Sequence, residues 1–180
     1  MDIWSISAVK LLSGVKMENR EPIKIIADLL SHELDMTSER IYLYNDGRPL
    51  PKDIYPYLVI SINNTQVFSN NSIYVKSVDK EKFSQNFKQD VIVSVISKDK
   101  SARTLANRVV MALTSIYSQQ LQERYSCHIA RISHITDASF LENTDMLTRM
   151  DVSVNVISWD SYEKSADYYE VEDFDTMFES

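Results

Sequence analysis

The residues best equipped for chemistry in this chain are few: His32, His128 and His134, and a lone cysteine, Cys127. His128 and His134 fall on one expected strand with even spacing, so they share a face. At ~3.3 Å per residue their Cα atoms would lie about 20 Å apart, too far to hold one metal ion. Cys127 and His128 are sequence neighbours, which puts thiol and imidazole on opposite strand faces and makes them a poor nucleophile–base pair. No HxxxH or HExxH spacing occurs, and two glycines in 180 residues leave no GxGxxG or P-loop phosphate cradle. Asp145 with Asp151, or Glu142 with Asp137, would be the paired carboxylates for general acid–base work. They fall in a polar linker and on the solvent face of a strand, where solvated charge is the ordinary reading. These residues indicate no enzyme class, no metal and no cofactor.

The length suits one domain, and 44% hydrophobic residues can fill one core of ordinary size. No apolar run is long enough to cross a membrane as a helix. The opening MDIWSISAVKLL lacks the basic region and cleavage site of a signal peptide. A single cysteine rules out an intrachain disulfide and fits a reducing compartment. Charge is informative once located. Residues 159–180 carry Asp160, Glu163, Asp167, Glu170, Glu172, Asp173, Asp175 and Glu179 against Lys164 alone, which accounts for the whole-chain net charge of −7. Residues 1–158 are therefore balanced, without the net positive charge of a body that tracks phosphates.

The elements that must position these residues follow from periodicity. Ile3, Trp4, Ser7, Ala8, Leu11 and Leu12 have helical spacing, with Gly14 as a C-cap. A second helix begins near Pro22, preceded by Asn19 or Glu21, and presents Ile23, Ile26, Ala27, Leu30 and Leu34; Asp35 and Thr37 mark its end. Short strands are expected at 41–44 and 57–62, then an Asn-rich turn, a strand at 73–78, and a polar connection or hairpin tip at 79–87. Val91 to Ile96 is apolar on both faces, as in a central strand. One long helix follows, capped by Asp99 or Ser101, with Leu105, Val109, Ala112, Leu113, Ile116 and Leu121 in its stripe. Strands at 127–135 and 150–158 complete the set; in the last, Val152, Val154 and Val156 alternate with Asp151, Ser153 and Asn155. The fold class is α+β: a mainly antiparallel sheet with helices packed on one face, in a single domain.

Two segments stand out. Residues 45–56, NDGRPLPKDIYP, hold three of the four prolines and one of the two glycines. Pro49, Pro51 and Pro56 exclude helix and central strand, and bias Arg48, Leu50 and Tyr55 to extended geometry. The segment is either a stiff contact arm or a proline-rich connection between strands. The acidic end interleaves Tyr168, Tyr169, Val171, Phe174, Met177 and Phe178 with its carboxylates. A solvating tail would not need so many large apolar groups, which favours a segment that folds onto a partner.

The run Asn45-Asp46-Gly47-Arg48-Pro49-Leu50-Pro51, then Pro56-Tyr57 and a β-run, resembles the N-x-G-x-P-x-P…P-Y signature of tailed-bacteriophage neck terminator (tail terminator) proteins. A strand from Gln89-Asp90-Val91 to Ser97, a capped helix, and Arg149-Met150-Asp151-Val152-Ser153-Val154 are similar too, the last to the family's R-x-D/F-V-x-V ending. The resemblance covers roughly residues 20–158. It divides the chain into an N-terminal helical extension (1–20), a terminator-like domain (21–158) and an acidic aromatic tail (159–180), with extension and tail outside the pattern.

The resemblance implies a non-enzymatic virion protein of the tail or neck, made in the host bacterial cytoplasm. Such a subunit forms a homo-oligomeric ring, commonly a hexamer, at the head-proximal end of the tail tube. The ring ends tube polymerisation and joins the tail to a head–tail connector or stopper protein, and DNA passes its lumen unread. Expected interface residues are Asn45, Gly47, Arg48, Pro49, Pro51, Tyr57 and Arg149, with Tyr168, Tyr169, Phe174 and Phe178 in the tail. The competing reading is another phage adaptor, a baseplate or head-completion protein, that binds partners through the acidic tail.

Overall fold

The computed structural model describes residues 20–44, 47–49, 55–75, 80–142 and 145–165. The expected helix at 2–12 lies outside them. Helix α1, Pro22–Leu34, starts with its proline in the first turn, where the missing N–H costs nothing, and ends at Asp35 in the left-handed region (φ 53°). Its buried residues are Pro22, Ile25, Ile26, Leu29, Leu30 and Leu34. The stripe is thus turned from the expected one: Ile23 and Ala27 sit at its margin, only partly buried.

Strand β1, Ile41–Leu43, runs parallel to β2, Tyr57–Val75, pairing Ile41–Leu43 with Leu58–Ile60. Parallel neighbours need a connection that carries the chain back along the strand. Residues 44–56, including the proline-rich segment, are that connection. Strand β3, Lys80–Ser97, is antiparallel to β2 along its whole length. This overturns two expectations: residues 63–72 are not an Asn-rich turn, and 80–87 are not a connection. Both continue strands, with shifts in the β2–β3 register at Ile62/Asn64 and Val67/Ser69. Periodicity missed them because Asn63 to Phe68 are exposed, so no hydrophobic alternation marks the strand once it leaves the core.

The expected single helix after residue 99 is two helices, α2 (Ser101–Leu113) and α3 (Ile116–Arg124). Hydroxyl groups cause the break by competing for helix backbone. Thr114 Oγ1 donates to the carbonyls of Val110 (3.2 Å) and Met111 (3.0 Å), and Ser115 Oγ accepts the Ser118 N–H (3.0 Å) as the N-cap of α3. Ile116 consequently points out, 75% exposed. Before α2, Asp99 Oδ1 accepts the Ser101 N–H (2.9 Å), so the expected acidic residue does bind the helix start.

Strand β4 is Cys127–Asp137, β5 is Phe140–Glu142 and β6 is Asp145–Ser165. The sheet order is β1-β2-β3-β6-β4, with β5 on the start of β6. The expected polar linker between the last two strands is therefore mostly the β5–β6 hairpin, and β6 continues past Ser158 to pair Ser165 with Lys80. The sheet is antiparallel except at β1, and α1, α2 and α3 pack on one face, as the α+β reading requires. Leu58, Ile60, Val91, Val93, Val95, Val152, Val154 and Val156 meet Leu30, Ala102, Ala106, Val109 and Leu113 there. Ala102 and Ala106, both fully buried, let α2 lie close to the sheet.

Candidate interface surfaces

The face of the sheet opposite the helices carries a second, smaller cluster: Tyr42, Tyr57, Ile96 and Leu147, with Tyr55 and Val59 against it. Pairing explains the set, because Tyr42 lies beside Val59, and Tyr57 beside Ile96. The Tyr42 and Tyr57 rings meet edge to face, centroids 5.8 Å apart, a favourable quadrupole arrangement. Tyr57 is only 4% exposed, so the expected interface residue packs within its own subunit.

Beside this cluster lies a cleft of about 920 Å³, lined by Tyr42, Tyr44, Gly47, Arg48, Pro49, Tyr57, Val59, Ser94, Ile96, Phe140 and Arg149, among others. Five residues singled out by sequence, Gly47, Arg48, Pro49, Tyr57 and Arg149, thus surround one concavity, although a hundred positions separate Pro49 from Arg149. Gly47 has φ 70°, a backbone geometry that side chains other than Asn or Asp rarely adopt. Arg48 donates to the carbonyls of Ile41 (3.1 Å) and Ser38 (3.4 Å) and lies 5.2 Å from the Tyr42 ring centroid. It clips the β1–β2 connection onto β1. Asn45 and Pro51 of the same segment, and Tyr168, Tyr169, Phe174 and Phe178 of the tail, lie outside the described residues.

Arg149 is held from below. Two residues along a strand share a face, and Arg149 Nε and Nη2 donate to the two carboxylate oxygens of Asp151 at 2.8 and 3.0 Å. Nη2 also reaches Ser94 Oγ at 3.1 Å, across on β3. The Asp151 side chain is 16% exposed and that of Arg149 37%, so this forked pair is geometrically defined, with its carboxylate largely covered and its guanidinium open to the cleft. Asp151 is therefore an anchor for Arg149 rather than half of a carboxylate pair. The sequence signal for this anchor was the R-x-D spacing itself; Tyr42, Tyr44, Ser94, Ile96 and Phe140 carried none, since only the pairing brings them to the cleft.

A second surface is the ribbon made where β2, β3 and β6 run beyond the helix layer. Val67, Phe68, Trp159 and Tyr162 are 54%, 56%, 44% and 62% exposed there. Phe83 and Tyr162 stack across β3 and β6, centroids 4.9 Å apart. On the helix layer, Met111 and Ile116 are exposed apolar groups, at 70% and 75%.

The chemistry-bearing residues stay apart. Cys127 is 7% exposed and burial pushes its thiol pKa up to about 11, the setting of an unreactive cysteine. His128 is exposed, pairing opposite Ile157, while His134 pairs opposite Ser153. Register shifts in β4 bring the two histidines nearer than the straight-strand expectation, about 13 Å along β6 at ~3.3 Å per residue, still beyond a shared ligand sphere. His32 stacks on Tyr117 at 4.0 Å, joining α1 to α3. Among the described residues no three His, Cys, Asp or Glu side chains cluster as a metal site, and no helix is long and apolar enough to cross a membrane.

Compared with known proteins, no curated protein matches the chain. Residues 23–178 match the family model described as phage neck terminator protein. The match starts in the first turn of α1 and runs beyond the end of β6 into the acidic segment, so the tail is part of the family pattern rather than an addition to it. Spanning most of the sequence, it establishes that the chain belongs to the phage neck terminator family, structural proteins of the virion neck that associate with other head and tail proteins.

Proposed function

We propose that copies of this chain close into a ring, a hexamer, at the head-proximal end of the tail tube. There the ring ends tube polymerisation and joins the tail to the head–tail connector or stopper protein. The observation that carries the reading is the family match over residues 23–178; the shape of the subunit agrees with it. A closed ring of identical subunits needs two different patches on each, one for each neighbour. The chain offers separate apolar surfaces on separate elements: the ribbon with Val67, Phe68, Trp159 and Tyr162, and the helix layer with Met111 and Ile116. The cleft rim at Gly47, Arg48 and Pro49 is a further contact region in this reading. Balanced charge over residues 1–158 lets subunits stack without strong repulsion and lets DNA pass the lumen without being gripped.

Native mass spectrometry of the purified protein, alone and with tail tube protein, tests the reading. A single closed oligomer that associates with tube is expected. A chain that stays monomeric and ignores the tube would refute it.

A further inference from the structure

The ribbon of β2, β3 and β6 has two outer edges, and each begins where a flanking strand stops. On one side β1 pairs with β2 only over residues 58–60. On the other, β4 starts at Cys127, which pairs with Ser158 of β6. Among the described residues no strand pairs with β2 beyond Ile60, or with β6 beyond Ser158, on those sides. We propose that the β2 edge of one copy, at residues 69–75, pairs in parallel with the β6 edge of the next copy, at residues 159–165, so that one sheet continues from subunit to subunit. The proposal rests on the ring reading above and names the contact that joins its subunits.

Three observations support it. The first is height. Both stretches lie against the same part of β3: Ser69 and Trp159 each pair with Asn86, and Val75 and Ser165 each pair with Lys80. A closed ring relates its copies by rotation without rise. With strands running along the ring axis, an edge therefore meets the stretch of its neighbour that lies at its own height. Strands β2 and β6 are both antiparallel to β3, hence parallel to each other, and rotation keeps that sense. The joint is a parallel ladder of main-chain hydrogen bonds.

The second observation is how the edges are guarded. Native sheet edges are ordinarily protected by charge, proline or bulges. Residues 69–75, SNNSIYV, hold no charged residue and no proline, and their pairing with β3 is unbroken after the shift at Val67/Ser69. Strand β6 is equally regular over 159–165. The β4 edge differs: its register shifts at Ile129/Arg131 and Ile132/His134, and the Ile129 N–H donates to Gln122 Oε1 at 2.8 Å within the chain. Strand β6 brings Asp160, Glu163 and Lys164 to a β2 stretch without charge, so the joint sets no like charges side by side, as two β6 edges would. The third observation is apolar. Phe68 is the extra residue at the Val67/Ser69 shift, and Trp159 stands at the height of Ser69 on the opposite edge. They are 56% and 44% exposed. In the joined sheet Phe68 comes against the neighbour's edge at Trp159, and both rings are covered.

Cysteine cross-linking in the full-length chain tests this. One chain carries Ser72→Cys on β2 and a second carries Tyr162→Cys on β6; both positions pair with Phe83, so they share a height and a face. The two are co-expressed and exposed to mild oxidant; native Cys127 is buried and stays out of the reaction. A disulfide between the two variants is expected. Its yield should fall roughly tenfold when the Ser72→Cys chain also carries Phe68→Asp, which sets a charge in the apolar part of the joint. His134→Cys, on the β4 edge, should give no disulfide with Ser72→Cys. Native mass spectrometry of the same mixtures separates the possible failures. Closed rings without the Ser72–Tyr162 link, or with a yield indifferent to Phe68→Asp, overturn the edge pairing and leave the ring. Chains that stay monomeric overturn both. A disulfide formed when Ser72→Cys is expressed alone shows two β2 edges meeting each other and overturns the joint with β6.

Discussion

At Cys127, burial alone has chemical consequences. Its thiol pKa rises from 9.0 to about 11, so folding favours the protonated form. Stability from this group is complete below the unfolded value and is lost as pH rises from about 9 to about 11. Urea titrations across that range should show the unfolding free energy declining, with the decline reduced in Cys127→Ala. Iodoacetamide at neutral pH should label native protein far more slowly than unfolded protein. Asp99 and Asp137 show the opposite sign. The Ser101 and Ser97 hydroxyls hold Asp99 below the usual carboxylate range, and the Ser139 hydroxyl does the same for Asp137. Their contributions are present above the ordinary carboxylate value and disappear as pH falls through the lower folded one. In the core, Leu58 is fully buried between sheet and helices. Leu58→Ala should cost about 2–5 kcal/mol by chemical denaturation. The candidate contact residues were partly legible at this scale: an unusual proline–glycine run and an R-x-D spacing flagged Gly47, Arg48, Pro49 and Arg149. That they face one cleft was not, because strand pairing between distant segments creates the neighbourhood.

Among the elements, the helix break and the ribbon are where local and tertiary forces diverge from simple periodicity. Apolar spacing continues from Leu113 towards Leu121, so a single helix is the natural reading. The Thr114 and Ser115 hydroxyls end it, and Ser115 then caps the next helix. Ser115→Ala should destabilise the protein by ~1 kcal/mol, measured by thermal or chemical unfolding, because the Ser118 N–H loses its acceptor. The core strands were legible because they obey the period of two over a buried face: Val91, Val93 and Val95 on β3, and Val152, Val154 and Val156 on β6. The same strands became illegible beyond the helices. There Asn64, Thr65 and Gln66 are wet, and the ribbon is held by its ladder and by contacts such as Phe83 on Tyr162. Tyr162→Ala should leave the unfolding midpoint nearly unchanged, because that ring is 62% exposed, and should weaken self-association if the ribbon meets a neighbour. Unchanged self-association would remove this face of the ribbon from the interface.

For the whole molecule, the sheet combines two unlike functions. Its helix-covered part is a conventional core, and its uncovered part reaches outward with exposed aromatics and with edges that no further strand pairs among the described residues. A free monomer would carry such edges as an aggregation hazard; neighbours in a ring would cover them. The proline-rich connection is likewise both a structural necessity, returning the chain to a parallel neighbour, and a rim of the cleft. The central claim is that these features serve a ring that stops the tail tube, and electron microscopy of tubes polymerised with the purified protein tests it most directly. The account predicts one ring seated on a single end of each tube and no further growth from that end. Bare tube ends that keep growing in the presence of the protein would contradict it.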